Sequence, residues 1–460
     1  MANTTALANL GSTTLSPSLS LSQTTGIYCQ TLTPSCDFST HLVTRSDGVC
    51  VVVDSSSLSV ITTLSPANAT HVLSASCSPS SPALIALSVD NTVQIWDIRV
   101  SSLSNKSVSS LLLPPWKPPK GYSDAAFLAA GQTAFGTDWG AGGDLIAIAA
   151  ADSNVYLWDP RRGEVPAYVY ADAHSDVDPV LHARFVPGSE SLLVTAGDDG
   201  VICLFDGSNG WDEDDALMAM LSQGDAIADI GFFGPSSEYL WLATGGQGLA
   251  LWSLEEAESL VSVKDARGAL SDAAGGRPVD VLVGAYYEPV QERLYVLAGD
   301  NSGSSFLTHV NIDSLDIVHS LDGGHCDRIR ALSYAPATSN LFTIGEDGLI
   351  VAWGSTPLVN HTPNILSSSS STSTSRPPPP SMASSSSSLA QQVSSLMSAA
   401  GQDDFHTRKK KKNRKHHSRG PPGPSDMQLA PSSPPTTTSP SRRKSKTQSK
   451  HSRHTRDAPY

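Results

Sequence analysis

A short pattern recurs along the first 355 residues, and it constrains the fold more than any other feature of the chain. A full copy has a turn Asp, a short run rich in apolar residues, and a large residue six positions after the Asp. The clearest copies run from Asp90 to Trp96 and from Asp152 to Trp158. A repeat of this kind is typical of an architecture in which each copy forms one structural unit. With weaker copies included, the pattern ends at Val53, Trp96, Trp158, Phe205, Trp252, Val310 and Trp353.

The spacing of these end points predicts a β-propeller. Successive end points lie 43, 62, 47, 47, 58 and 43 residues apart, and one four-stranded blade takes about 40–45 residues. Between them, runs such as 84–88, 145–149 and 192–196 are short, apolar and bounded by turn residues, which is typical of buried strands. The two long intervals need insertions. We expect one at 101–123, where paired prolines disfavour a central strand, and one at 264–278, which is rich in Gly and Ala.

The residues that accompany the repeats resemble the WD-repeat family. The last copy is the fullest match, with Gly324, His325, Thr343, Asp347 and Trp353 in order. In that family the His, the Ser or Thr, the Asp and the Trp of a copy hydrogen-bond across one blade, so the resemblance implies an all-β, seven-bladed propeller over residues 1–355. It also implies structural roles for His71, Asp90, Trp96, Asp152, Trp158, His174, Thr195, Asp199, Trp252, His325, Thr343, Asp347 and Trp353.

Several copies depart from the full pattern. Phe205 replaces the Trp of the fourth copy, so its network must end early. Ala86 stands at the Ser/Thr place of the second copy, and Gly246 stands at the Asp place of the copy that ends at Trp252. A narrower resemblance, to one branch of the family, lies mainly within residues 170–355. It is carried by the stretches 174–206, 212–217, 282–299 and 323–330.

The ring needs a strand from outside the repeats to close. The last copy ends at Trp353, at the third strand of a blade, and no strand-like sequence follows it. The segment 13–23 alternates Leu15, Leu19 and Leu21 with Ser and can supply the missing outer strand. A closed ring protects strand edges that would otherwise template aggregation. We therefore predict that an N-terminal strand closes the propeller.

The charge of the chain is divided between two parts of opposite sign. Residues 1–355 carry 14 Lys and Arg against 40 Asp and Glu, a net charge of −26. Residues 356–460 carry 16 against 4, a net charge of +12, in Ser- and Pro-rich sequence that cannot bury a core. We expect a disordered basic tail there. Two basic clusters predict a nuclear import signal at Arg408, Lys409, Lys410, Lys411, Lys412, Arg414, Lys415, Arg442, Arg443 and Lys444.

The tail leaves several interpretations open. If the basic clusters are an import signal, they predict a nuclear or nucleolar protein. If they are not, we expect a cytoplasmic protein. The clusters can also bind RNA or DNA through the phosphates alone, because no aromatic residue lies among them to stack on bases. A contact between the tail and the acidic body, or a tail without a partner, are the remaining alternatives.

The search for chemistry yields no catalytic residue. The sequence has no phosphate-binding glycine loop, no HExxH zinc motif and no GxSxG turn. Its six cysteines are scattered without a CxxC pair. We therefore predict no enzyme activity, no metal and no cofactor. The N-terminus lacks the charged and apolar regions of a secretory signal, and no run of about 18 apolar residues occurs, so we expect no membrane contact.

A scaffold that binds proteins is the function most consistent with these observations. Loops on a rigid scaffold carry function, and the residues just before the turn Asp are expected near one rim of the ring. Asp198 and Glu346 place acid there and are the candidate partner rim. Because the body carries −26, we expect a monomer within a complex whose partner offers a basic segment, such as a histone-like or ribosomal-protein-like tail. The alternative is a ribonucleoprotein or chromatin-associated factor whose tail contacts RNA or DNA.

Overall fold

Seven antiparallel sheets, arranged as the blades of a ring, form a β-propeller. The computed structural model of the chain describes residues 13–22, 26–100, 106–115, 132–163, 165–175, 177–310 and 314–354, which all lie in one compact unit. The seven-bladed all-β fold expected from the repeats is confirmed. No described helix has the length and hydropathy to cross a membrane. The tail at 356–460, with its import clusters, lies outside the described residues, and its disorder stays a prediction.

Successive strands pair side by side within each blade. Two strands precede the first blade, β1 (Thr13–Leu15) and β2 (Pro17–Ser22). Blade 1 has β3 (Cys29–Pro34), β4 (Thr40–Arg45), β5 (Cys50–Asp54) and β6 (Val60–Leu64). Blade 2 has β7 (Val72–Ser78), β8 (Ser81–Val89), β9 (Thr92–Asp97) and β10 (Ser109–Leu112). Blade 3 has β11 (Ala134–Gly140), β12 (Leu145–Ala150), β13 (Val155–Trp158) and β14 (Tyr168–Tyr170).

The other four blades repeat this order. Blade 4 has β15 (Val180–Phe185), β16 (Leu192–Gly197), β17 (Val201–Asp206) and β18 (Leu217–Ser222), with helical turn α1 (Glu213–Ala216) before its last strand. Blade 5 has β19 (Ile227–Phe233), β20 (Tyr239–Thr244), β21 (Leu249–Ser253) and β22 (Glu258–Val263) and is followed by helix α2 (Ala266–Ala273). Blade 6 has β23 (Val281–Glu288), β24 (Arg293–Gly299), β25 (Ser305–Val310) and β26 (Leu315–Leu321). Blade 7 has β27 (Ile329–Ala335), β28 (Asn340–Gly345) and β29 (Leu349–Trp353). Short 3-10 turns occur at Ala141–Gly143 and Gly207–Asn209.

The first strands of the blades line the inside of the ring. Each of them contacts the first strand of the next blade, and β27 of blade 7 contacts β3 of blade 1, so the ring is closed. The described apolar side chains form seven clusters, one between each pair of neighbouring blades. The second and third strands are therefore buried on both faces, as in β12, whose six residues are all buried. This explains why their sequences are continuous apolar runs rather than alternating ones.

Every first strand carries a β-bulge near its beginning. The pairing with the second strand skips one residue in all seven blades, for example between Cys29 and Thr31 and between Ile329 and Ala331. A bulge bends a strand and increases its twist, so the seven inner strands bend in the same way. The skipped residues share no side-chain type. They are Gln30, Leu73, Phe135, Leu181, Ala228, Val283 and Arg330.

The N-terminal segment closes the ring, as predicted. β2 pairs antiparallel with β29 and is the outer strand of blade 7. The Ser18 hydroxyl also donates a hydrogen bond to the Ala352 carbonyl, at 2.8 Å. Leu19 and Leu21 pack against the apolar cluster between blades 7 and 1. The first blade and the last are thus held together by a strand from the other end of the chain.

A second N-terminal strand was not expected from the sequence. β1 pairs in parallel with β26, with Thr14 opposite Ser320, and adds a fifth strand to blade 6. Leu15 packs against the cluster between blades 6 and 7. The segment predicted as one strand is therefore two strands, and they hold two neighbouring blades.

Two details of the repeat differ from the prediction. The range 101–123 is not wholly an insertion, because β10 lies within it and forms the outer strand of blade 2. The paired prolines come after this strand, at 114–115, where they do not interrupt it. In blade 6, Thr308 pairs with Val296 and directly follows a β-bulge, as Phe205 does in blade 4. Thr308 therefore occupies the end point that the sequence pattern assigned to Val310. The turns of blades 4 and 6 are equally long, but Asp300 stands two positions earlier in its turn than Asp199, so the spacing from the Asp to the end point differs.

The interval between blades 5 and 6 holds a helix. Within the predicted insertion at 264–278, α2 begins after Asp265, whose side chain accepts a hydrogen bond from the Gly268 N–H at 2.9 Å. Ala266 and Leu270 are buried against the cluster between these blades. Arg277 then anchors the segment to blade 6, because its guanidinium donates to the hydroxyls of Ser304 and Ser320, both at 3.0 Å.

Candidate functional site: the Asp face of the propeller

One end of the ring collects the turn Asp residues. Because the strands are antiparallel, the loop before the first strand of a blade and the turn between its second and third strands lie at the same end. We call this end the Asp face. In five blades a backbone N–H and a carboxylate join that loop to that turn. The pairs are Thr70 and His71 with Asp90, Ser175 with Asp199, Gly246 with Asp225, Asn301 with Asp280, and Cys326 with Asp347, at 2.9–3.1 Å.

Blade 7 contains the complete four-residue network. The Trp353 indole N–H donates to the Thr343 hydroxyl at 2.8 Å, and that hydroxyl contacts His325 Nε2 at 2.8 Å. His325 Nδ1 lies 3.1 Å from both carboxylate oxygens of Asp347. A neutral imidazole with its proton on Nδ1 satisfies all of these groups, because the carboxylate only accepts. A Cβ on Gly324 would collide with the Trp353 ring, which explains the Gly of the Gly-His pair.

The carboxylate of this network is held in its charged form. Burial on its own would raise the pKa of Asp347, but hydrogen bonds from His325 and from the backbone N–H groups of Cys326 and Leu349 outweigh it and hold that pKa below its ordinary value. The side chains of His325 and Asp347 are almost fully shielded from solvent. The network is therefore a structural lock on the loop of blade 7.

Blade 4 has the same network without its Trp. His174 Nδ1 lies 3.1 Å from Asp199, and its Nε2 lies 2.8 Å from the Thr195 hydroxyl. Burial opposes ionisation of Asp199 as well, but the hydrogen bond from His174 outweighs it and the pKa of that carboxyl is lowered. Phe205 stacks on Tyr170 with ring centroids 4.3 Å apart and adds no donor. The network ends at the Thr, as the sequence predicts.

Blades 2 and 3 keep the Trp but not its partner. Trp96 and Trp158 are buried, and neither indole N–H has a hydrogen-bond partner among the described residues. In blade 2 the cross-strand place that corresponds to Thr343 falls on Leu87 rather than on Ala86, because the turn is one residue shorter. Blades 2 and 3 therefore use the Trp only to fill the core.

The polar residues of these two blades act separately from the Trp. His71 is exposed and contacts Asp90 through its backbone alone: its N–H donates to the carboxylate at 3.0 Å, and its carbonyl accepts the Asp90 N–H at 3.3 Å. Asp152 accepts a hydrogen bond from the Tyr156 hydroxyl at 2.6 Å. Burial, followed by this contact, raises the pKa of Tyr156. The structure does not bring His71 or Asp152 into a network with a Trp.

Blades 5 and 6 reverse the direction of the loop contact. In blade 5 the carboxylate comes from Asp225, in the loop before the first strand, and it accepts the N–H of Gly246 in the turn. Asp280 and Asn301 make the same reversed contact in blade 6. The two residues of each pair are 21 positions apart, the separation between Cys326 and Asp347. Sequence reasoning missed Asp225 and Asp280, and this shared separation is the signal that identifies them.

Trp252 of blade 5 also finds a different partner. Its indole N–H donates to the Gln223 side-chain oxygen at 3.0 Å, whereas the Trp of blade 7 donates to a hydroxyl of its own blade. Gln223 follows β18 of blade 4, so this hydrogen bond joins two blades. The common shape of the blades is thus maintained by several different sets of contacts.

The two residues of the candidate rim lie in different surroundings. Asp198 is exposed, and burial together with the nearby carboxylates of Asp178 and Asp199 raises its pKa. Glu346 is half-buried and pairs with Arg330, at 3.1 Å from Nη1. The repulsion around Asp198 marks it as the rim position that would gain more from a cation.

The Asp face carries more exposed acid than these two residues. The described cations near it are Arg45, Lys264, Arg267, Arg277, Arg328 and Arg330. Arg45, Arg277 and Arg330 are held by Ser and acidic groups of the face. Among the residues that the structure describes, no group of three or more His, Cys, Asp or Glu side chains could hold a metal ion. The exposed carboxylates of this face include Asp172, Asp198, Asp225, Asp280, Asp322 and Asp327.

Known proteins share the repeat seen here. The family model described as "WD domain, G-beta repeat" matches residues 58–97. This range runs from the outer strand of blade 1 to the third strand of blade 2, so the sequence repeat is offset from the blade by one strand. The offset explains why the last copy lacks an outer strand and why β2 must supply it.

Two relatives extend the similarity beyond one repeat. The chain is 30% identical over 234 residues to "WD repeat-containing protein GTS1" of Arabidopsis thaliana, which covers 49% of this chain and 59% of that protein. It is 29% identical over 188 residues to "WD repeat-containing protein 89 homolog" of Dictyostelium discoideum, which covers 41% of this chain and 52% of that protein. The chain thus spans just over half the length of these relatives. The narrower resemblance of residues 170–355 is also to WD repeat-containing protein 89. Blades, networks and relatives agree that the chain belongs to the WD-repeat family.

Proposed function

We propose that the protein is a non-enzymatic scaffold that binds a basic segment of a partner protein on its Asp face. The observation that supports this is the exposed acid of that face, above all Asp198, where neighbouring carboxylates repel one another. A Lys or Arg of a partner would relieve this repulsion. The carboxylate–backbone contacts hold the loops in place, so the charges are positioned before the partner arrives.

The experiment is an affinity purification of the full chain with mass spectrometry at two salt concentrations. The test variant carries Asp172→Asn and Asp198→Asn, which remove two exposed charges from the Asp face. The matched control carries Glu190→Gln and Glu292→Gln, which remove two exposed charges from loops between first and second strands, at the opposite face. Exposed charge pairs are screened over about 8–10 Å at physiological salt, so binding should fall in high salt. Partners that are kept by the test variant and lost by the control would refute the proposal.

We further propose a nuclear or nucleolar location, directed by the basic clusters of the tail. Runs of five or more Lys and Arg are typical import signals, and the clusters span 408–415 and 442–444. A fluorescent fusion of the full chain is compared with one that lacks 408–456. A shift to the cytoplasm is expected, and an unchanged location would contradict the assignment.

A ribonucleoprotein or chromatin-associated factor is the second candidate function. It is supported by the same clusters, whose net charge suits phosphate contacts. Deletion of 408–456 separates the two functions, because only the nucleic-acid-binding function predicts that the shortened chain no longer retains RNA or DNA in an extract without nuclei. Steep loss of retention with added salt is expected, since each phosphate contact releases counterions.

A further inference from the structure

A groove opens between blades 4 and 5 on the face opposite the Asp face. It is formed by the loops that join the first and second strands of the two blades, by the segment after β21 and by the start of β18. Its volume is about 600 Å³, within the range of about 300–1,000 Å³ that is common for binding clefts. The groove shares no residue with the Asp face, so it is a separate surface.

The floor and one wall of the groove are apolar. Val186, Leu204 and Leu254 line it and also belong to the buried cluster between blades 4 and 5. Met218, at the bulge where β18 meets β17, forms the wall and is 59% exposed. A single exposed apolar side chain is ordinary, but one that borders a concave apolar surface can bury more area in a complex. Covering Met218 and the floor would therefore favour binding.

The rim of the groove is acidic. Glu238 and Glu255 line it, and Glu256 is adjacent. All three carboxylates act on Tyr239, whose pKa is raised first by burial and then by their charges. None of the 16 described residues that line the groove is Lys, Arg or His. The charge complement of this rim is basic.

We propose that this groove binds a partner-protein segment that inserts a bulky apolar side chain between blades 4 and 5 and places a Lys or Arg beside Glu238 and Glu255. An apolar centre with a polar rim is the usual anatomy of a protein interface, and an anchor side chain in a pocket commonly carries most of the binding energy. The interface does not depend on the Asp face, because the two surfaces lie at opposite ends of the strands. Loss of one in an experiment leaves the other intact.

The test uses a phage-displayed library of random peptides as the probe and the full chain as the bait. Enriched peptides are synthesised, and their affinity for the chain is measured by fluorescence anisotropy. They should pair a large apolar residue with Lys or Arg. Met218→Asp should weaken their binding about tenfold or more, as expected for a central anchor contact. Met220→Asp is the matched control, because Met220 is 48% exposed on the same strand but does not line the groove.

A second variant guards against an effect on folding. Glu255→Lys changes an exposed charge without altering the apolar floor, and it should weaken the same peptides, less so as salt rises. The proposal is overturned if no peptide is enriched, if the enriched peptides lack Lys and Arg, or if Met220→Asp weakens them as much as Met218→Asp. It is also overturned if peptides bind only after 356–460 are removed, which would assign the groove to the chain's own tail. Self-association that Met218→Asp abolishes would assign it to a second copy and overturn it as well.

Discussion

Replacing Thr by Val in two blades measures what the Trp adds to the network. Thr343→Val in blade 7 and Thr195→Val in blade 4 keep the shape of the side chain and remove only its hydroxyl. In blade 7 that hydroxyl serves both the Trp353 indole N–H and His325 Nε2, each at 2.8 Å. In blade 4 the His contact, also 2.8 Å, is present, but Phe205 offers no donor.

The expected cost follows from the number of buried polar groups that lose a partner. Leaving one buried group unsatisfied costs about 1–3 kcal/mol. Thr195→Val should therefore lower the free energy of unfolding by about 1–3 kcal/mol, and Thr343→Val by about 2–6 kcal/mol because two groups are affected. The second loss should shrink to the first when Trp353→Phe is already present, since the double variant makes blade 7 resemble blade 4.

Urea unfolding of the full chain, followed by far-UV circular dichroism, supplies these free energies, and a double-mutant cycle isolates the Trp–Thr contact. The cycle should give a coupling energy of about 1–3 kcal/mol between Thr343 and Trp353. Equal losses for the two single Val variants, or a coupling energy near zero, would refute the reasoning. Either result would mean that the indole N–H of blade 7 finds another partner at no cost.

Three further predictions follow from the closure, the Gly-His pair and the buried carboxylate. Deleting 1–22 should lower the free energy of unfolding by about 5 kcal/mol, because ladder hydrogen bonds and three half-buried Leu side chains are lost. Deleting 1–16 removes only β1, so calorimetry should show a clearly smaller loss, and equal losses would contradict the closing role of β2. Gly324→Ala should cost about 1–3 kcal/mol in urea unfolding, because its methyl group meets the Trp353 ring, and an unchanged midpoint would show that the ring can move aside. The pKa of Asp347 is lowered in the folded protein, so its charged carboxylate stabilises the fold above the unfolded pKa of about 3.9, and this contribution is lost as pH falls through the folded pKa. Unfolding midpoints measured from pH 6 to pH 3 should therefore fall less for Asp347→Asn than for the parent chain.

The sequence predicts the parts of this fold that depend on side-chain identity. The turn Asp, the Gly-His pair and the Trp of the last copy locate blade 7 and its network, because each group needs a specific donor or acceptor. Leu19 and Leu21, alternating with Ser, identify the closing strand, because one face of it must be apolar. The seven end points of the repeat predict the number of blades, and these features predict the way in which the ring closes.

The features that sequence reasoning missed depend on the backbone or on reversed roles. The seven bulges share no residue type, since a bulge depends on backbone geometry rather than on a particular side chain. β1 is three residues long, too short for a periodic pattern. Asp225 and Asp280 escaped notice because the carboxylate moved to the loop while its N–H partner took the turn. In each case the backbone geometry is the same, but no particular residue type marks it in the sequence.

The pairing of β1 and β2 also sets the order in which the protein can be completed. These strands leave the ribosome before all of the blades, yet their partners, β26 and β29, end about 300 residues later. At about 5–20 residues per second, translation needs about 15–65 s to supply the rest of the ring. During that time the last two blades are incomplete, so the N-terminal segment cannot dock and the growing edge stays open. Such non-local pairing slows folding, and a blocked N-terminus would leave a full-length chain with an unfinished ring.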